Sequence, residues 1–98
     1  MTQALKDIVI NALEEIKATN INSIDVRELT GMMDTMVVAT GNSNRQVKSL
    51  ATSVVVDAKK AGFELIGVEG DDTSEWILVD FGDVIVHIML PATREFYD

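Results

Sequence analysis

The tetrapeptide Ser43-Asn44-Arg45-Gln46 constrains the fold more than any other part of the chain. It has the spacing of a capping box, in which the Ser43 hydroxyl bonds the backbone N–H of Gln46 and the Gln46 side chain reaches back. Behind it, Val47, Leu50, Ala51, Val54, Ala58 and Ala61 recur along one helical stripe. Lys59 and Lys60 fall where the helix dipole favours cations, and Gly62 can supply a left-handed cap. The spacing therefore predicts a helix over 44–61. Before it, Met36-Val37-Val38-Ala39-Thr40 is apolar on both parities, as in a strand buried on two faces. After it, Phe63-Glu64-Leu65-Ile66-Gly67-Val68 reads as another strand. A strand linked to the next across a helix favours parallel pairing between them.

Around this unit, residues 2–18 read as an amphipathic helix. Leu5, Ile8, Val9, Ala12, Leu13 and Ile16 form its stripe, and Thr2 is placed to cap its start. Asn20 and Asn22 end it, and 24–29 alternates loosely like a short strand near an edge, with Gly31 marking a turn. Residues 75–80 and 83–90 form two further strands joined tightly around Phe81-Gly82. This is an antiparallel hairpin in which Gly82 provides positive φ. Pro91 breaks the last strand and can open a short C-terminal helix. A single α/β domain over 1–98 follows, with a mixed five-stranded sheet flanked by helices and no repeats or linkers.

The 98 residues suffice for one core, and 47% apolar with 24% charged residues is the balance of an ordinary soluble globular protein. No apolar run approaches the roughly 20 residues that span a bilayer, and no secretory signal is evident. The absence of cysteine excludes disulfides and thiolate metal sites, which fits a cytoplasmic location. Charge is more informative. Residues 1–63 balance seven acids against seven bases, whereas 64–98 carry nine acids against Arg94 alone, so the net charge of −8 lies in the last third. Such a surface repels phosphate backbones and attracts basic protein surfaces. The bland alternative is that these acids only aid solubility.

Few constellations could carry chemistry. Glu69, Asp71, Asp72 and Glu75 cluster in one loop but lack the calcium-loop pattern, which leaves a solvated or partner-facing loop. Asp80-Phe81-Gly82 spells the kinase metal-binding triplet, yet no glycine-rich loop or catalytic loop accompanies it, and the hairpin explains it. Gly41-Asn42-Ser43 could cradle a phosphate, as in the glycine-serine turn of nucleotidyltransferases. Those enzymes need two carboxylates on the following strand, whereas the next acid after Ser43 is Asp57, inside the helix. His87, the one histidine, shares strand parity with Ile85 and Met89 and reads as structural. Trp76 follows four acids and shares a face with Leu78 and Asp80, so it is either a core residue or an interface anchor ringed by charge. Tyr97 could extend the same patch.

Four blocks carry a family resemblance: residues 39–47, residues 67–70, the stretch from Glu75-Trp76-Ile77 through Asp80-Phe81-Gly82-Asp83 to Val86-His87, and Arg94-Glu95-Phe96-Tyr97. In order and spacing they resemble the ribosomal silencing factor (Iojap) family over essentially the whole chain. The resemblance implies a non-enzymatic protein without cofactor or metal. It also implies a fold related to nucleotidyltransferases but lacking their catalytic carboxylates. The implied partner is the large ribosomal subunit, bound through its fourteenth ribosomal protein at the face that meets the small subunit. Binding there would sterically block joining and lower translation when nutrients are scarce. Trp76 would then be the anchor, Glu69, Asp80 and Asp83 charge partners, and Tyr97 a flanking contact. Homodimerisation of the free protein stays open. The rival readings are a degenerate nucleotidyltransferase binding nucleotide at 41–45 and an oligomeric scaffold using a sheet edge. Two departures stand out. Met33-Asp34-Thr35-Met36 differs from the family's Thr-Asp-aromatic segment, and the chain stops at Asp98 where members usually continue into a short tail, so weaker partner binding or self-association is expected.

Overall fold

The capping box forms as the spacing requires and also ties two helices together. In this computed structural model, which describes residues 2–97 and side chains 4–96, α2 (Asn44–Lys60) starts behind Ser43, whose backbone is extended at φ −149 and ψ 162. The Gln46 N–H donates to Ser43 Oγ at 3.1 Å. Gln46 Oε1 reaches one residue further back than the motif implies, accepting from the Asn42 N–H at 2.6 Å. Its Nε2 donates to the carbonyls of Ile16 and Lys17 at 3.0 and 3.2 Å, fastening α2 to the end of α1 (Thr2–Glu15). Removing the Ser43 acceptor leaves a helix-end N–H without its cap. Ser43→Ala is expected to cost about 1 kcal/mol, lowering the melting temperature by about 4–8 °C. Circular dichroism melts check this, and an unchanged midpoint would show that the cap contributes nothing.

Helix α1 closes three residues earlier than its apolar pattern predicts. Lys17 adopts φ 62, and the Ala18 N–H bonds back to the Leu13 carbonyl at 3.0 Å. The proposed Thr2 cap lies outside the described side chains. The chain then enters β1 (Thr19–Asp25), which replaces the strand expected at 24–29. Asn20 and Asn22 lie within this strand. A register shift between Thr19 and Asn22 accommodates Asn20 at φ 48, a left-handed conformation that asparagine tolerates. Backbone pairing with β2 (Thr35–Thr40) outweighs the weak strand preference of asparagine. Residues 27–29 form a turn instead, where Leu29 and Thr30 donate to the Val26 carbonyl. At its first residue the Arg27 guanidinium grips both Asp25 carboxylate oxygens, at 3.1 and 2.7 Å, and holds the pKa of that carboxyl down to about 2.

The five-stranded sheet runs β1-β2-β5-β4-β3, with β2 and β5 (Val84–Met89) parallel and the other pairs antiparallel. The strand after α2 is therefore not the parallel partner of β2. Only Gly67–Glu69 pair as β3, at the far edge beside β4 (Trp76–Asp80). The reason is burial. Val84, Ile85, Val86, Ile88 and Met89 are all buried and demand a central strand, whereas Gly67 and exposed Glu69 suit an edge. Phe63 and Leu65 pack against the core without joining the sheet. Both long helices cover one face, over Val37, Ala39, Ile77, Val79, Val86 and Ile88. Among the described residues no helix packs on the other face. Its rim holds α3 (Pro91–Tyr97), opened by Pro91 as the sequence predicts.

Candidate functional site

The uncovered face is built from the alternate residues of the central strands. In one row Val38, His87, Leu78 and Glu69 lie side by side across β2, β5, β4 and β3. The next row, towards the 80–84 hairpin, sets Ile24, Met36, Ile85 and Asp80 abreast. Towards the other end stand Thr40, Met89 and Trp76. The face is thus an apolar strip with carboxylates along its β3 and hairpin margins.

Trp76 is half-buried on this face, while its neighbours Ile77 and Val79 fill the core. The indole Nε1 donates to His87 Nδ1 at 3.0 Å, and the two rings are tilted by 49° with centroids 5.9 Å apart. An indole N–H can only donate, so His87 Nδ1 must be unprotonated to accept. Burial pushes the His87 pKa below its ordinary 6.5, in the same direction. Trp76 also forms the wall between two shallow clefts. One lies over the sheet face with Ile24, Met36, Val38, His87, Met89 and Arg94, and the other runs towards α3 with Thr73, Glu75, Thr93 and Phe96.

The loop before Trp76 is braced rather than loose. Gly70 adopts φ +85 and lies so close to Trp76 that a Cβ there would sit 2.1 Å from the Trp76 carbonyl oxygen. Buried Ser74 donates its hydroxyl to the Asp71 carbonyl at 3.1 Å. From α2, Asn44 Nδ2 donates to the Thr73 carbonyl at 2.9 Å. On the α3 side, Arg94 Nη1 donates to the Asn20 carbonyl and, at 2.8 Å, to Thr40 Oγ1, pinning the terminal helix across the strand ends.

The structure gathers most of the residues singled out from sequence. Trp76, Glu69 and Asp80 share the open face, although Trp76 and Asp80 stand at opposite ends of β4, about 13 Å apart along the strand. Asp80 Oδ1 accepts from the Gly82 N–H at 2.8 Å, so half of this carboxylate serves the hairpin, where Gly82 has the expected positive φ of 88. Exposed Asp83 lies at the hairpin tip, and its carbonyl receives the N–H groups of Asp34 and Thr35. The Tyr97 side chain lies outside the described residues. Sequence reasoning missed the partnership of His87 with Trp76, the bracing role of Asn44, and Phe96, which is 80% exposed beside the second cleft. Strand parity put His87 on a face with Ile85 and Met89, but parity within one strand cannot say which neighbouring strand it meets.

At this turn the Gly41 and Asn42 amides are used internally, donating to the Met89 carbonyl and to Gln46 Oε1, and the Gln46 amide donates to Ser43 Oγ. Gly41 instead permits close packing, since a Cβ there would come 2.9 Å from Val47 Cγ2. Among the described residues no three of His, Cys, Asp and Glu converge to hold a metal, and no helix is long and apolar enough to cross a membrane.

The sequence profile of a family described as ribosomal silencing factor during starvation matches residues 1–98. The chain belongs to the ribosomal silencing factor family. A ribosomal silencing factor RsfS from Chromobacterium violaceum is 52% identical over 96 residues, 98% of this chain and 79% of that one. The crystal structure of a Chromobacterium violaceum protein superposes with a TM-score of 0.98 at 51% identity, covering 100% of this chain and 82% of the other. One from Bacillus halodurans reaches 0.90 at 29% identity, over 97% of this chain and 89% of its own. The block that carries the ribosomal silencing factor resemblance most specifically, Trp76 to His87, is the β4–β5 hairpin, and its first and last residues are the two joined by the indole hydrogen bond.

Proposed function

We propose that this chain acts as a ribosomal silencing factor: it docks on the large ribosomal subunit through the fourteenth ribosomal protein and sterically blocks the small subunit. The observation that carries this reading is Trp76, set in an uncovered apolar sheet face bordered by Glu69, Asp80 and Asp83. A large aromatic group in a partly desolvated apolar setting with a polar rim has the anatomy of a binding hot spot. Carboxylates on that rim suit a basic protein surface, speed encounter with it, and disfavour bare RNA. The cleft between Trp76 and Phe96, with Glu75 beside it, offers aromatic rings and a carboxylate to a Lys or Arg side chain. Steric silencing needs no catalytic group, cofactor or metal, and it places the protein in the cytoplasm, where subunits join. The nucleotide-binding alternative is weakened because the Gly41, Asn42 and Gln46 amides are already engaged within the chain. Self-pairing of the free protein through the outer edge of β1 would be a competing use of the sheet.

Co-sedimentation with purified large subunits at two salt concentrations, followed by addition of small subunits, tests the proposal. Expected are co-migration that weakens with salt and a reduced yield of joined ribosomes. Absence of co-migration at both salt concentrations would remove the docking reading. Magnesium-dependent nucleotide binding in calorimetry would favour the rival.

A further inference from the structure

We infer that His87 is the positioning residue of the Trp76 anchor: its neutral Nδ1 fixes the indole in the docking orientation, and protonation of the imidazole releases it, so that docking weakens in mild acid. The inference rests on the docking reading above and adds to it a control built into the face itself.

The geometry permits the bond in one protonation state only. Trp76 Nε1 carries a hydrogen and has no acceptor capacity, so the 3.0 Å contact requires a lone pair on His87 Nδ1. Protonated Nδ1 would present a second hydrogen to the indole N–H, and the rings would have to part. The surroundings offer the imidazolium little compensation. From β1 and β2 the same cleft receives Asn22, Ile24, Met36 and Val38, none of them titratable. On β5, Ile85 and Met89 flank the histidine. On β4, Leu78 lies directly opposite and separates it from Glu69 on β3, while Asp80 lies a further two residues along and is bonded to the Gly82 amide. From α3 comes a cation, Arg94, which opposes a second positive charge in the cleft.

Burial acts in the same direction, holding the His87 pKa below 6.5. The sign follows. The unfolded chain takes up a proton at higher pH than the folded one, so stability from neutral His87 is complete above about 6.5 and is lost as pH falls below it. The indole loses its restraint only when the folded His87 itself takes up a proton, at a pH below its ordinary 6.5, and docking must then order an anchor that was previously held.

The chain has one tryptophan and one histidine, so each can be followed without ambiguity. The indole N–H resonance and tryptophan fluorescence of the full chain are recorded against pH, alongside the imidazole ring resonances. Co-sedimentation with large subunits is measured at about pH 7.5 and at a pH below the imidazole transition so recorded. His87→Asn keeps a short side chain with an acceptor oxygen and does not titrate, whereas His87→Leu removes the acceptor. The indole and imidazole signals of the unaltered protein are expected to move together in one transition below 6.5. Affinity should fall about three- to tenfold between the two pH values, the effect of one more side chain to be ordered on docking. His87→Asn should bind well at both pH values, and His87→Leu weakly at both. An indole signal that stays constant while the imidazole titrates would overturn the inference. So would a fall for His87→Asn as large as that of the unaltered protein, or full binding by His87→Leu. Absence of docking by the unaltered protein at neutral pH overturns the docking reading instead, and the indole transition then decides whether His87 positions Trp76.

Discussion

Trp76→Ala is expected to weaken binding to the large ribosomal subunit by about 2 kcal/mol or more, about 30-fold, while the protein still unfolds cooperatively. The expectation separates two faces of one strand. Ile77 and Val79 are completely buried under the helices, and their truncation would open cavities in the core. Trp76 points the other way, into a face that no described helix covers, so truncation removes anchor area and exposes His87 Nδ1 to water, which can replace the lost donor. Affinity from co-sedimentation and the melting curve of the same sample decide the matter together. Loss of cooperative unfolding would make Trp76 a core residue, and unchanged affinity would move the docking surface elsewhere. Trp76→Phe, which keeps a ring but no N–H, should fall between the two and lose the pH dependence.

The second large effect is expected at Gly70. An alanine there faces φ +85, a conformation costing an L-residue about 1–2 kcal/mol, and a Cβ placed 2.1 Å from the Trp76 carbonyl oxygen, a backbone atom that cannot swing aside. Gly70→Ala should therefore destabilise the fold by about 3 kcal/mol, more than 10 °C in melting temperature by the usual scaling. It should also weaken subunit binding, because any relief of the contact moves the start of β4. Two further glycines dissect the effect. Gly62 has φ +91 but nothing within 4 Å of an added Cβ, so Gly62→Ala reports conformational strain alone. Gly67 has neither and should tolerate alanine with little change. Equal melting temperatures for the Gly70 and Gly62 variants would show that the close approach to Trp76 contributes nothing.

The accuracy of the sequence reading followed the range of the interaction concerned. The capping residue Ser43, the Val47-to-Ala58 stripe, the Gly82 turn and the helix opened by Pro91 all appear as expected, because each depends on residues within a few positions of one another. The errors lie where a distant neighbour decided. The strand expected at 24–29 moved to Thr19–Asp25 because β2 offered its backbone there and Asn20 could take the bulge. The strand expected at 63–68 shrank to Gly67–Glu69 because β5, more fully apolar, took the place beside β2.

The candidate site divides along the same line. Sequence alone determined that acids crowd the last third of the chain, that Trp76, Leu78 and Asp80 share a parity, and that the Trp76-to-His87 block resembles one family. The fold decided that this parity is the uncovered one, since both long helices pack on Ile77 and Val79. It also decided that His87 meets Trp76, that Glu69 joins the row of His87 through Leu78 and β3, and that Asn44 on α2 braces the loop 29 residues further on. Periodicity states which side chains share a face of one element. Which face is buried, and which side chain lies opposite, depends on how the strands are ordered, and that order is set by competition among whole strands for the centre of the sheet.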